Sequence, residues 1–263
     1  EQIQPANFWP DLEGNINANL QHKGVYGADI LQAQVENLSA KGDWLGYPLN
    51  ANGAVKFDKK TGLDIPSLSV SNGDNKLIVK GRLDNQNALI GNVEFTGNAL
   101  EQLYPDLSGS SGLTARISGT LSEPEVEYDL FAKQVEYNTI SLQSLTSKGQ
   151  VEWDQEKQFN VTTKLEQLVI NQEPIENIQL ELAGNALQHQ LTTTVLSEAF
   201  QLNSTIGGRL EETKWSGNWL SGEFKSQWGS YTLNQKNTGI LADWGNQHYQ
   251  LDAHCWVDQQ AKL

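Results

Sequence analysis

Methionine is missing from this chain altogether, even at its first position, and cysteine occurs once, at Cys255. A lone cysteine closes no disulfide within the chain, and a start without methionine gives the expectation of a segment from a longer parent. Positive charge is scarce: 18 Lys and Arg stand against 32 Asp and Glu, for a formal net charge of −14. Phosphate backbones are repelled by such a surface, which argues against nucleic acid as a partner and disfavours anionic headgroups on the outer face. No run approaches the roughly 20 apolar residues of a membrane-spanning helix. No secretory leader is visible either, so any anchor is expected outside this piece. Hydrophobic residues make up 38% of 263, low for one compact globule of that size. Such a chain spreads its apolar side chains thinly or sets them all along one face.

Helical periodicity is nearly absent too. The best helix candidate runs from Ala99 to Tyr104, with Pro105 to stop it. Period-two alternation is what fills the chain instead, and it marks strands with one apolar face. Leu77, Val79, Gly81 and Leu83 alternate with Ile78, Lys80, Arg82 and Asp84. Leu113, Ala115, Ile117, Gly119 and Leu121 alternate with Thr114, Arg116, Ser118 and Thr120. Val126, Tyr128 and Leu130, then Ile178, Leu180 and Leu182, then Leu202, Ser204 and Ile206 repeat the theme.

Turn signals separate these runs: Asp58 to Gly62, Ser71 to Asp74, Asp84 to Asn87, Trp153 to Glu156 and Gly184-Asn185. Their spacing predicts successive hairpins and hence mostly antiparallel pairing. The chain also echoes itself. Phe8-Trp9-Pro10-Asp11-Leu12-Glu13-Gly14 is similar to Leu103-Tyr104-Pro105-Asp106-Leu107-Ser108-Gly109. Gly81-Arg82-Leu83-Asp84 is similar to Gly208-Arg209-Leu210-Glu211, and each precedes a strand ending in Glu-Phe, at Glu94-Phe95 and Glu223-Phe224. Repeated strand-rich units point to an elongated, stacked architecture. No sharp boundary is marked; the best soft one falls at 103, dividing a first segment (1–102) from a second (103–263) continuous with it.

One-sided apolar strands must meet something. A second sheet would make a sandwich. A single sheet bent along its length would instead hold its apolar face as an open trough, and an apolar trough in water calls for a ligand such as an acyl chain. Periodicity alone leaves both open.

Several segments resemble the TamB family of AsmA-like envelope proteins. Leu103-Tyr104-Pro105-Asp106-Leu107-Ser108-Gly109 is followed by Ile117-Ser118-Gly119-Thr120-Leu121-Ser122-Glu123-Pro124, then Gly184-Asn185-Ala186-Leu187-Gln188-His189, Trp215-Ser216-Gly217 and His254-Cys255-Trp256. The order of these motifs carries the resemblance, closely over 103–263 and more loosely over 1–102. It implies an all-β, elongated, curved and mostly antiparallel sheet, a β-taco with an apolar interior and very little helix. It implies a periplasmic location in a Gram-negative envelope, with an inner-membrane anchor outside this fragment and the outer-membrane partner TamA meeting another part of the parent. The implied role is to shield phospholipid acyl chains on the way to the outer membrane, or to assist assembly of outer-membrane proteins by strand addition. The resemblance is to the middle of the parent and implies that placement. The residues expected to face the trough are Leu77, Val79, Leu83, Val93, Phe95, Leu113, Ile117, Leu121, Val126, Tyr128, Leu130, Leu180, Leu182, Leu202 and Ile206. The resemblance also implies a disulfide between Cys255 and a cysteine beyond this chain, in the oxidising periplasm; an inert buried thiol is the alternative.

No constellation points to catalysis, a cofactor or a metal. Asp58-Lys59-Lys60-Thr61-Gly62 is similar to a phosphorylated Asp-Lys-Thr-Gly, but one extra lysine breaks the spacing and a hairpin turn explains it. His254 and Cys255, with His248 nearby, would point to opposite faces of a strand and so not converge on one ion. Glu125 and Glu127 share a strand face, as solvated residues do. Gly109-Ser110-Ser111-Gly112 reads as a flexible turn. Trp215, Trp219, Trp228, Trp244 and Trp256 crowd the last fifty residues and either seal the fold or form an aromatic rim toward lipid or protein.

Overall fold

The computed structural model describes residues 2–4, 7, 13–27, 31–152, 156–234 and 237–258. The chain folds as two compact units, Glu1–Asn138 and Thr139–Leu263. Residue 103 therefore lies inside the first unit. The segment Phe8 to Leu12 of the internal echo, and Trp153, Asp154 and Gln155 of one expected turn, lie outside the described residues.

The first unit is an antiparallel meander of nine strands: β1 (Gln2–Ile3), β2 (Gly14–Tyr26), β3 (Leu31–Trp44), β4 (Tyr47–Asp58), β5 (Gly62–Asn72), β6 (Asn75–Leu83), β7 (Leu89–Gly97), β8 (Leu107–Gly119) and β9 (Pro124–Tyr137). Each strand pairs with the next in sequence. The hairpins fall where Asp58–Gly62, Gly73 and Asp84–Asn87 were expected. Another closes at Leu45-Gly46, where φ is 52° and 77°, the left-handed pair of a two-residue hairpin.

The expected helix at Ala99 to Tyr104 is a single 3-10 turn, Leu100–Gln102. It is held by the β5–β6 hairpin rather than by helical propensity. Asn75 Nδ2 donates to the Ala99 carbonyl at 2.7 Å, and its Oδ1 accepts the Ala99 N–H at 3.1 Å. Gln102 Oε1 accepts the Asp74 N–H at 2.7 Å. Ala99 and Leu100, 8% and 6% exposed, are the buried apolar residues among those described. The unit thus has a small plug and no extended dry core. Gly109 to Gly112, expected as a flexible turn, lie within β8. The register slips there between Ser108 and Ser110, and Gly109 takes φ 108°, so the glycine makes a bulge and not a loop.

The second unit begins as a meander: β10 (Ile140–Glu152), β11 (Phe159–Ile170), β12 (Glu173–Gly184), β13 (His189–Leu196), β14 (Phe200–Glu211) and β15 (Lys214–Ser226). The sheet then forks. The C-terminal end of β15 pairs with β16 (Gly229–Leu233), and its N-terminal end pairs with β17 (Thr238–Asp243). β17 continues to β18 (His248–Leu251), and β16 to β19 (Trp256–Asp258). Among the described residues every strand pairing in both units is antiparallel, and no helix covers either sheet.

Candidate functional site

Register turns the alternation into continuous apolar rows. In the first unit, Ala18, Ala40, Ala51, Val70, Leu77, Phe95, Leu113 and Leu130 stand opposite one another from β2 to β9. A parallel row runs Leu20, Leu38, Gly53, Leu68, Val79, Val93, Ala115 and Tyr128. Ile117 and Val126 begin a third with Gly91, and Leu83 pairs with Leu63 and Leu89. In the second unit, Leu145, Leu165, Ile178, Val195, Leu202, Phe224 and Tyr231 form one row, and Val161, Leu182, Leu191, Ile206 and Trp219 another. The echoed motifs are structurally alike: Phe95 stands opposite Leu77, and Phe224 opposite Leu202.

Fourteen of the fifteen residues expected to face a trough lie on strands and are partly exposed, so they are neither sealed nor free. Leu121 differs: it sits in the connection from β8 to β9 and is 61% exposed, with its N–H donating to the Asn87 carbonyl. Partial burial with no covering layer means that side chains of one face shield each other across a bent sheet. That is an open apolar face, and each unit is such a sheet.

Alternation counting missed a polar row within the second unit's apolar face. Ser147, Thr163, Leu180, Thr193 and Ser204 follow one another from β10 to β14, between the two apolar rows. The Ser147 and Thr163 hydroxyls bond at 2.8 Å, and Ser204 Oγ accepts the Trp219 indole N–H at 2.9 Å. These bonds let hydroxyls stand among apolar neighbours at little cost.

Aromatic rings gather beside it. Trp219 meets Trp256 edge-on at 5.4 Å and His254 at 5.6 Å, and Phe200 stacks on Phe224 at 5.8 Å. Glycines make room for the indoles: a methyl on Gly208 or Gly217 would overlap Trp215, and one on Gly222 would overlap Trp256. Trp228 and Trp244 stay outside this cluster and are 76% and 46% exposed. Cys255 is an exposed free thiol outside any strand, so a buried thiol is not what the fold provides. Among the described residues no three His, Cys, Asp or Glu converge on a metal site, and no helix is long and apolar enough to cross a membrane.

Fold and face together define a repetitive antiparallel sheet protein that offers a long apolar surface. The family model "TamB, N-terminal domain" matches residues 1–263, and the chain belongs to the TamB family. That description gives no support to a placement in the middle of the parent. The chain is 23% identical over 268 residues to the translocation and assembly module subunit TamB of Haemophilus influenzae, covering 100% of this chain and 20% of that protein. The chain therefore spans about a fifth of the length of the curated relative it matches. No solved structure matches it.

Proposed function

We propose that this chain is a non-catalytic periplasmic part of an intermembrane bridge, and that its apolar face shields phospholipid acyl chains during transfer to the outer membrane. The observation that carries this reading is the pair of apolar rows crossing eight strands of the first unit with no covering layer among the described residues. Each methylene taken from water contributes about 0.8 kcal/mol. A dozen half-covered methylenes would contribute on the order of 5 kcal/mol, enough to hold a tail while letting it slide. An anchor in the inner membrane and contact with TamA belong, in this reading, to other parts of the parent.

Lipid extraction and native mass spectrometry of the purified chain test it. Phospholipid should co-purify, and Ile117→Asp or Leu180→Lys should abolish that while leaving the circular dichroism of the sheet unchanged. Lipid-free protein, or variants that lose lipid only by losing the fold, would count against an acyl conduit.

A second reading has one observation in its favour. β18 pairs on one side only among the described residues, and its Tyr249 and Leu251 are 66% and 51% exposed. Such an edge is a template for strand addition, as a scaffold for outer-membrane protein assembly with TamA requires. Proline at Tyr249 would then impair assembly more than a charge at Ile117.

A further inference from the structure

On the opposite face of the first unit, away from the apolar rows, register assembles a cationic site in an acidic chain. Lys23, Gln34, Lys56, Asp64 and Arg82 stand opposite one another on β2, β3, β4, β5 and β6. They line a concavity of about 600 Å³ at the strand ends, with Val25 also in its wall. Lys56 and Arg82 are exposed, and neither makes an ion pair or side-chain hydrogen bond among the described residues. The carboxylates nearby are largely engaged elsewhere. Glu36 is paired with Lys23 at 2.8 Å. Asp58 accepts from the Gln32 amide at 2.8 Å and from the Lys60 N–H at 2.7 Å. Asp64 alone lies between the two free cations and offsets one of them. Lys59 and Lys60 sit on the adjoining hairpin, whose Thr61 and Gly62 complete the wall. In a chain of net charge −14, this reverses locally the sign that the composition sets globally.

Two unpaired cations about 10 Å apart on alternate strands, beside an apolar side chain, suit an oxyanion attached to an apolar body. Val25, two residues from Lys23 and on its face, is 56% exposed, so the wall offers apolar contact surface. We propose that this concavity is an oxyanion site for a phosphate-type group, held by Lys56 and Arg82 as charge-assisted contacts, with Val25 touching whatever carries it. The inference does not depend on the acyl-chain reading, because it concerns the other face and a different chemistry. The phosphate group could be that of a lipid headgroup or of a soluble phosphate.

Calorimetric titration of the whole chain with inorganic phosphate, and separately with dihexanoyl phosphatidate below its micelle concentration, decides the matter. Saturable binding is expected, weakening as salt is raised. Lys56→Gln with Arg82→Gln should weaken it by about tenfold or more, the order of a lost charge-assisted contact. Lys225→Gln in the second unit, the same type of charge change at a residue that does not line the concavity, should leave it within about twofold. Phosphatidate bound about tenfold tighter than phosphate identifies a lipid headgroup site; equal affinities identify a site for the free anion. Val25→Ser should close the gap in the first case only. No saturable binding of either probe, or an equal loss in Lys225→Gln, overturns the proposal. Proton-nitrogen correlation spectra of each variant show that the sheet is intact.

Discussion

Trp215 donates its indole N–H to Nε2 of His189 at 2.7 Å. An indole nitrogen only donates, so Nε2 is the accepting nitrogen. Nδ1 then carries the hydrogen and gives it to the Asn185 carbonyl at 2.9 Å. The imidazole also lies 5.7 Å from the Phe159 ring and 6.2 Å from that of Trp215. One histidine thus ties β11, β13 and β15 together. His189→Phe keeps the ring and strips the acceptor, leaving a half-buried indole N–H unmatched. Urea unfolding should show a loss of about 1–3 kcal/mol. Adding Trp215→Phe should return part of it, with a coupling of about 1 kcal/mol in the cycle. A neutral His189→Phe would show that the bond contributes nothing.

Asn75, 2% exposed, is the most enclosed side chain among the described residues of the first unit and is polar. Its amide reaches the Asn72 carbonyl at 3.2 Å and the Ala99 carbonyl at 2.7 Å, and its oxygen takes the Ala99 N–H. Asn75→Leu fills the volume but leaves buried backbone groups without partners. A loss of about 2–4 kcal/mol is expected for two such groups, with melting of the 3-10 turn ahead of the sheet in hydrogen exchange. Uniform loss of protection across all nine strands would contradict that order.

Sequence alternation revealed the apolar face where strands are regular and hid it where they are bulged. Leu77, Val79 and Leu83 on β6, and Leu113 and Ile117 on β8, keep strict period two, and so the rows through β6–β9 were legible. On β3 the register slips between Val35 and Leu38, and on β5 between Ile65 and Leu68. Each slip inserts one residue, so Leu63, Ile65, Leu68 and Val70 share a face although their spacing is 2, 3 and 2. A period-two count breaks there. The hairpins at Leu45-Gly46 and Asn171-Gln172 carry left-handed residues without the Asn-Gly signature and were missed for that reason. The cationic concavity was invisible as well, since its charges are scattered over four strands and meet only through register.

Those bulges make a direct prediction. Deleting Ser67 removes the extra residue of β5 and leaves Leu63, Ile65, Leu68 and Val70 two apart, on one face of a regular strand, so the apolar rows survive it. Deleting Lys80 from β6, where no residue is extra, instead turns Leu77 and Val79 to the face of Lys56 and Arg82 or drags the register of β5 with them. Either route exposes apolar surface, at a cost of roughly 2–4 kcal/mol for two partly buried side chains. Urea titration and dye binding to exposed apolar surface should report that loss for the Lys80 deletion and a clearly smaller one for the Ser67 deletion. Equal losses in the two deletions would mean that β5 needs its extra residue to keep Leu68 and Val70 in the rows.

Acid should loosen the second unit through Glu166. Hydrogen bonding from Lys164 at 2.9 Å, then from the Ser144 hydroxyl at 2.8 Å, then the lysine's charge, hold this carboxyl below its ordinary range. Asp243 is lowered in the same way, chiefly by the Asn246 amide at 2.9 Å and the Asn246 N–H at 3.0 Å. A carboxyl whose folded value is depressed binds fewer protons folded than unfolded. Its stabilisation is therefore complete above the unfolded value and drains away as pH falls through the folded one. Both groups are solvent-exposed, so the effect is small and salt-sensitive. Glu166→Gln should lower the urea midpoint at neutral pH and converge on the parent as pH falls through the depressed folded value of the carboxyl. Raising salt should shrink the Lys164 share and spare the Ser144 share. A Glu166→Gln difference that is as large in acid as at neutrality would mean that the charge is not what Ser144 and Lys164 hold.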